Sequence, residues 1–537
     1  MDRNFSVSMP KAELLIAPSI EAVVSSDSPD FIGNYLADES SGFSGFATRV
    51  FIPENESEVS AVLKWANETR TPVTISGGGT GLTGSRVPLS GVVLSTEKLI
   101  NVRRVEGMEK YLIKHRSLTE DISFYLDEEN CTAVVPPGIS LGDLYAVIGE
   151  RHLNYPPNPT ELTAWIGGNV ATNASGGRSF RHGSVRKWVR RLRIILLTGE
   201  LLEIRRGEHF ADEAGFFGIL FPDGKTSEIP IPSYKMPDVK NASGLYSAPG
   251  MDLIDLFIGS EGILGVITEI ELKLVKWEGE IFSCIAFFPT EEKSTEFVKA
   301  ARNLSRSHTG VYDALTIDYF GNNSLKFMRP ANPGIPENAE AAVFIEQFIP
   351  EDPEEILTAW MELMEEHGCI QDWSGTTDPD RRKLRDFRHS LPEAVNELVR
   401  SRGMGKMGLD IAVPDDRLED IMRIYHQSAQ SIGVDYLFFG HIGDNNLHMN
   451  YLPKNREEME LVRKAYLETA RAGIGMGGTI SAEHGVGKKS FSQEGKTYPY
   501  LYLMYGEDGL KSIAGIKKIL DPASILNRGN IIPEEYL

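Results

Sequence analysis

The chain has 537 residues, enough for two or three cores, and its 41 % hydrophobic and 24 % charged content is ordinary for a globular protein. A net charge of −21 argues against a nucleic-acid partner and an anionic membrane surface. Cys131, Cys284 and Cys369 lie far apart with no CxxC, which excludes a disulfide framework and a built-in iron–sulfur relay and suits a reducing, cytoplasmic compartment.

At the N-terminus, Met1-Asp2-Arg3-Asn4-Phe5-Ser6 lacks the charged-then-apolar plan of a signal peptide. Nowhere does an apolar run approach the roughly eighteen residues of a membrane helix. Val59, Val62, Leu63 and Ala66, with Glu56 and Glu58 near the start, predict a helix over 55–69. The spacing then predicts a strand over 72–76, a Gly-rich loop over 77–84 and a strand over 92–95, the alternation of an α/β or α+β fold. Further Gly-rich stretches cover 165–177 and 256–267. Arg178, Arg181, Arg186, Lys187, Arg190, Arg191 and Arg193 crowd one segment and read as a solvated face or a domain contact. Residues 207–250, rich in Gly, Pro and charge, read as an excursion from the sheet. The pattern changes near 276, where a domain boundary is placed. Beyond it we expect strands near 281–288, 310–318 and 342–347 and helices near 291–304, 352–367 and 384–400.

Glycine lets backbone N–H groups approach a ligand, and successive N–H groups in a tight turn suit a diphosphate. The loop 77–84 matches neither G-x-G-x-x-G opening a helix nor the P-loop pattern. Three such loops within one α/β stretch favour a large dinucleotide.

Tyr436 to Phe439 and Met449 to Leu452 predict two strands flanking Gly440-His441-Ile442-Gly443-Asp444-Asn445-Asn446-Leu447-His448. Closing this hairpin around 443–446 puts His441 directly opposite His448, on the face to which Asn450 returns. Ser481-Ala482-Glu483-His484-Gly485 adds a carboxylate and another imidazole among glycines. Two His and one Glu with an open position form a common catalytic ligand set for zinc-like ions. Glu483-His484 is not HExxH, so a metalloprotease is excluded.

The segment Pro72 to Leu94 resembles the diphosphate loop of the vanillyl-alcohol-oxidase-type flavoproteins. Pro156 to Thr160, IGGNVATNASGG at 166–177 and GSEGILGVIT at 259–268 resemble that family's other flavin-contacting segments. The stretches 440–450, 478–487 and 521–529 resemble its FAD-linked oxidase C-terminal domain. Together they are similar to the D-2-hydroxyacid dehydrogenase branch, over about residues 20–535. The resemblance implies an α+β fold: a PCMH-type FAD-binding domain of two α+β subdomains (46–275), preceded by a packing segment (1–45), and an α+β cap domain carrying a metal site (276–495). Residues 496–537 would return to the FAD domain. It implies that FAD contacts Gly77, Gly78, Gly79, Thr80, Gly81, Leu82, Thr83, Pro159, Thr160, Gly167, Gly168, Asn173, Ser175, Gly176, Glu261, Gly262, Ile267 and Asn527. Residues 76–85 contain no His or Cys, so the FAD is expected to be non-covalent. Ser76 stands where many relatives have Arg, and Arg528 where many have Pro.

By the same resemblance His441, His448 and Glu483 hold Zn2+ or a similar divalent metal. His484 is the base, and Arg388, Asn450, His484 and Lys406 meet the substrate, with Arg388 donating two parallel hydrogen bonds to a carboxylate. Where dicarboxylate-specific relatives place a Thr and a Lys, this chain has Leu391-Pro392 and Gly408, with Lys406 four residues before Asp410. A small monocarboxylate such as D-lactate is favoured over 2-hydroxyglutarate. The implied activity is oxidation of a D-2-hydroxy acid, with electrons passed to an electron-transferring flavoprotein, a quinone or a partner subunit; a homodimer is compatible. A transferase resembling alkyl-dihydroxyacetone-phosphate synthase shares the fold, but its relatives crowd more His into the turn, here Asp444-Asn445-Asn446. A catalytically silent flavin subunit of a larger complex is the reading from another class.

Overall fold

The computed structural model describes residues 9–40, 42–118, 120–307 and 310–537; the first eight residues of the predicted N-terminal segment, with the expectation about a signal peptide, lie outside them. The fold is α+β, and three sheets of four or more strands carry it among the described residues. In the smallest, Arg49–Phe51, Val92–Ser95 and Val73–Ser76 run parallel, with Ser25–Ser26 on the edge. The helix Glu56–Thr69 connects Arg49–Phe51 to Val73–Ser76. Asn55 caps it by accepting from the Glu58 N–H, and Val59, Val62, Leu63 and Ala66 form its buried stripe.

A seven-stranded antiparallel sheet follows, in the order Ala12–Glu13, Leu201–Arg205, Val189–Ile195, Val266–Lys273, Thr132–Val135, Asp121–Asp127, Leu112–Arg116. It corrects the solvated-face reading of the basic segment. Arg191 is buried against Glu269 (2.7 Å), Glu271 and Glu203, and Arg193 against Glu56 and Glu203 (both 2.7 Å). The cause is cross-strand pairing: Arg191 and Arg193 lie beside Glu271 and Glu269 of the neighbouring strand. Arg178 and Arg181 reach further, to Glu346 (3.0 Å) and to Glu278 (2.8 Å) and Asp313 (2.6 Å).

The eight-stranded sheet has Gln371–Gly375, Glu280–Phe288, Ala341–Ile349, Ala314–Phe320, Tyr436–His441, Asn446–Tyr451 and Met407–Gly408 in order, with Ile411–Ala412 also on Asn446–Tyr451. Both faces are covered, so residues alternate between two cores. Cys284, Ala286 and Phe288 pack toward Phe297 and Trp360, whereas Ile285 and Phe287 join Leu384, Phe387 and Leu391 of the helix Asp378–Arg402. That helix starts six residues before the expected position because Thr377 caps it, accepting from the Asp380 N–H, and Pro379 occupies its first turn. The excursion 207–250 contains a two-stranded hairpin, Phe216–Leu220 with Thr226–Pro230. Near the C-terminus, Leu526 bridges to Val73, and Asn527 Oδ1 accepts from the Ile75 N–H at 2.6 Å. Among the described residues no helix is long and apolar enough to cross a membrane.

His182 closes the short helix Ser179–His182 with its Nε2 buried and unpartnered. Burial, reinforced by the nearby Arg181 and Arg178, pushes its pKa down to about 3 from 6.5. The unfolded chain therefore takes up this proton at higher pH than the folded one. The stability linked to His182 is complete above pH 6.5 and is lost as pH falls from there toward 3. His182→Gln should flatten the acid limb of a denaturant-midpoint against pH curve between pH 6 and 4; a limb of unchanged slope would refute this.

Candidate active site

Apolar Leu437 and Phe438 and buried Met449 and Tyr451 form the strands of the His-rich hairpin. Its register differs from the expected one. His441 pairs with Asn446, and His448 lies opposite Phe439. The loop closes one residue early because Ile442–Asp444 turn as a 3-10 segment and Asn445 takes the left-handed conformation (φ 50°). The partner number slips by two, which preserves the face. The two imidazoles therefore still converge, with ring centroids 5.5 Å apart. Gly440 (φ 133°) gives His448 its room, since a Cβ there would stand 2.8 Å from His448 Cδ2.

Glu483 sits at the centre. Its Oε1 lies 3.0 Å from His448 Nε2 and 3.5 Å from His484 Nε2, and its Oε2 lies 3.6 Å from His441 Nε2 and 2.6 Å from Lys240 Nζ. The edge of a tetrahedron with zinc–ligand bonds of about 2.0–2.1 Å is about 3.3 Å, so the spacings of Glu483 to His441 and His448 fit a divalent ion. Among the described residues, the donor atoms of Asp410, His448, Glu483 and His484 all lie within 4.8 Å of one another, and the predicted ligand His441 lies outside that group. Asp410, however, is spent on the protein. Its Oδ2 accepts from Ser481 Oγ, the Glu483 and His484 N–H groups and His484 Nδ1, and its Oδ1 from Asn446 Nδ2. We read it as the residue that orients Glu483 and His484 rather than as a ligand.

Electrostatics follow from this crowding. Burial would depress His441, but Asp318 (2.6 Å from Nδ1) and Glu483 outweigh it and raise the imidazole to about 9. Burial likewise opposes His484, yet Asp410 at 3.0 Å keeps it above its ordinary value. His448 is lowered, chiefly by burial. Glu483, despite burial, is held well below the usual carboxylate range by Lys240 and His441.

The three Gly-rich loops meet beside this cluster. A Cβ at Gly77 would touch only Gly168 Cα, at 3.9 Å, and one at Gly168 would meet nothing, so the two loops come close together with room left beside Gly168. Asn169 Nδ2 and Ser175 Oγ are buried there without partners. Thr83 is tied to the loop that follows His484: its carbonyl accepts from Lys488 N–H at 3.0 Å and would lie 2.3 Å from a Cβ at Gly487 (φ 51°). Thr80 is half-buried, Gly81, Leu82 and Thr160 are exposed, Pro159 is buried, and Asn173 (φ 50°) accepts from the Arg186 N–H. Some of the glycines predicted to contact FAD also let neighbouring segments close in. Cβ atoms at Gly79, Gly167, Gly176 and Gly262 would run into Arg86, Pro137, Asn158 and Asn527. Glu261 spends both carboxylate oxygens on Ser85 Oγ and the Val486 and Gly487 N–H groups, and its carbonyl on Asn527 and Asn530. It braces the flavin-side loops against the His484 segment. Ile267 lies in the seven-stranded sheet opposite Ile194.

Arg388 also reaches the junction, where a Cβ at Gly177 would lie 3.2 Å from its Nη2. Its fork is not free: Nε donates to Asp318 Oδ2 at 2.5 Å and Nη1 lies 3.1 Å from His389 Nε2. Asn450 is buried and donates to the His448 carbonyl, and its Oδ1 would be 3.1 Å from a Cβ at Gly408. Lys406 stands apart, its Nζ 3.3 Å from Asn396 Oδ1 and its pKa lowered by burial. Sequence reasoning missed Lys240 and Asp318, and used Asp410 only as a landmark. Lys240 opens a Lys-Asn-Ala-Ser-Gly stretch just before the third Gly-rich loop, the one local cue available.

The FAD binding domain family matches residues 47–205, and the C-terminal domain of FAD linked oxidases matches residues 286–531. The chain belongs to the FAD-linked oxidases. Glycolate oxidase subunit GlcD of Bacillus subtilis is 27 % identical to this oxidase over 516 residues, covering 93 % of this chain and 92 % of its own. A D-lactate dehydrogenase of Archaeoglobus fulgidus is 28 % identical, covering 89 % and 90 %. A D-2-hydroxyglutarate dehydrogenase of Xanthomonas citri is 26 % identical, covering 90 % and 88 %. A solved alkyldihydroxyacetonephosphate synthase shares the fold, with a TM-score of 0.64 over 99 % of this chain and 89 % of its own, at 14 % identity. The oxidase's Gly-lined gap and the orphaned Asn169 and Ser175 groups suit the FAD of its family.

Proposed function

We propose that this FAD-linked oxidase oxidises a D-2-hydroxy acid, D-lactate above the others, to the 2-oxo acid and passes the electrons to a separate acceptor. The observation that carries the reading is the convergence of His441, His448, Glu483, His484 and Arg388 against the Gly-lined FAD loops. Bound FAD supplies the hydride acceptor for the substrate's C2. His441, His448 and Glu483 would hold a divalent ion such as Zn2+, whose charge makes the substrate hydroxyl easier to deprotonate.

The remaining work falls to the chain. His484 donates Nδ1–H to Asp410, so its neutral tautomer carries the lone pair on Nε2, where the hydroxyl proton is taken. Asp410 strengthens that base by favouring the protonated ring. Arg388 Nη2 and Asn450 hold the carboxylate. Gly408, packed under Asn450 Oδ1, and Lys406, turned to Asn396, provide no second clamp of the kind a dicarboxylate needs, which supports a monocarboxylate. The electrons would leave to a separate acceptor, an electron-transferring flavoprotein, a quinone or a partner subunit.

The test is an anaerobic absorbance titration of purified protein. It should be yellow, release its flavin as FAD on acid treatment, and bleach with D-lactate. Flavin that stays attached after denaturation would refute non-covalent binding. Bleaching by L-lactate alone, or by no 2-hydroxy acid, would sink the assigned reaction.

A further inference from the structure

A planar guanidinium offers a carboxylate two edges, Nε with one terminal nitrogen or the two terminal nitrogens together. In this oxidase both edges of Arg388 are half taken. Asp318 occupies Nε at 2.5 Å, His389 occupies Nη1 at 3.1 Å, and Nη2 has no hydrogen-bond partner among the described residues. Asp318 is 2 % exposed, and its other oxygen accepts from His441 Nδ1 at 2.6 Å and Thr316 Oγ1 at 3.3 Å. The pair lies at the flavin side of the site: a Cβ at Gly177, the end of the second Gly-rich loop, would stand 2.6 Å from Thr316 Oγ1, 3.2 Å from Arg388 Nη2 and 3.4 Å from Asp318 Oδ2.

We propose that Asp318 sets how tightly substrate and product are held: it is an internal carboxylate that competes with the substrate's own and reduces Arg388 from a two-donor to a one-donor clamp. The inference rests on the reading that Arg388 serves a substrate carboxylate. Oxidation at C2 leaves that carboxylate unchanged, so the grip that holds the hydroxy acid also holds the 2-oxo acid product. A one-donor clamp therefore binds both weakly and lets the product leave. Asp318 Oδ1 fixes the ring of His441, with Nδ1 on Asp318 and Nε2 turned to Glu483, so one side chain aligns the carboxylate clamp through Oδ2 and His441 through Oδ1.

Asp318→Asn keeps an oxygen for His441 Nδ1 and removes the acceptor from Arg388 Nε. Oxamate, a carboxylate that cannot be oxidised at C2, is titrated by calorimetry onto the FAD-loaded, zinc-saturated protein, which makes the result independent of turnover. The Asn variant should bind oxamate about tenfold more tightly than the natural protein, the worth of one added charge-assisted hydrogen bond. A residue with only a structural role gives no gain. Against an Arg388→Ala background the gain should vanish. Equal or weaker binding by the Asn variant, binding by neither protein, or a gain that persists without Arg388 overturns the proposal. If Asp318→Asn does not fold, Asp318→Ser repeats both measurements. Failure of every 2-hydroxy acid to bleach the flavin would remove the proposed reaction and leave the oxamate comparison standing.

Discussion

Glu483→Gln should empty the metal site and slow flavin reduction by about a thousandfold or more, while FAD stays bound. Glu483 is, among the described residues, the one carboxylate that touches His441, His448 and His484 together, so its loss leaves two imidazoles that hold a divalent ion poorly. It is also the acid partner of buried Lys240, at 2.6 Å. Breaking such a pair from one side costs about 3–5 kcal/mol, because the remaining charge is stranded. The Gln variant should therefore melt lower as well as lose metal, and the two effects must be separated. Combining Lys240→Met with Glu483→Gln removes the stranded ammonium; it should restore much of the melting temperature and none of the metal. Elemental analysis reads the metal, calorimetry the stability and absorbance the flavin. A single Gln variant with native metal content and native reduction rate would return the cluster to an ordinary buried polar network.

The parts of this site that were legible in the sequence are those with a local signal. The helix Glu56–Thr69 shows its apolar spacing and its cap in consecutive residues, and the hairpin shows its strands and its turn within sixteen. The loop closed early because the left-handed residue is Asn445, and nothing in Asp444-Asn445-Asn446 says which Asn adopts that conformation. The side chains that tune the histidines carry no such signal. Asp318 meets His441 across 123 residues and Lys240 meets Glu483 across 243. Glu261 was legible as part of a flavin-loop motif, but its bonds to Val486 and Gly487 depend on how the sheets pack. The basic segment misled for a related reason: Arg191 and Arg193 alternate along one strand, and their acids sit on Val266–Lys273, on Leu201–Arg205 and at Glu56. Residue type showed the chemistry available, and topology decided which groups meet.

His484→Asn should lower the rate of flavin reduction by about a hundredfold to ten-thousandfold, the usual contribution of a general base. The amide can still donate to Asp410, which keeps the Glu483 loop in place through the Asp410 bonds to the Glu483 N–H and the residue-484 N–H. It has no lone pair basic enough to take the hydroxyl proton. The interaction removed belongs to the transition state, so the dissociation constant for D-lactate should change little while the limiting reduction rate falls. That split separates His484 from Arg388, whose replacement by Lys should mainly weaken binding, because an ammonium cannot reproduce the direction of a guanidinium donor. Stopped-flow reduction over a range of D-lactate concentrations gives both quantities, and C2-deuterated D-lactate reports whether C–H cleavage remains in the measured step. Native-rate flavin reduction by the Asn variant would remove His484 as the base. The proton would then have to go to another group beside Glu483.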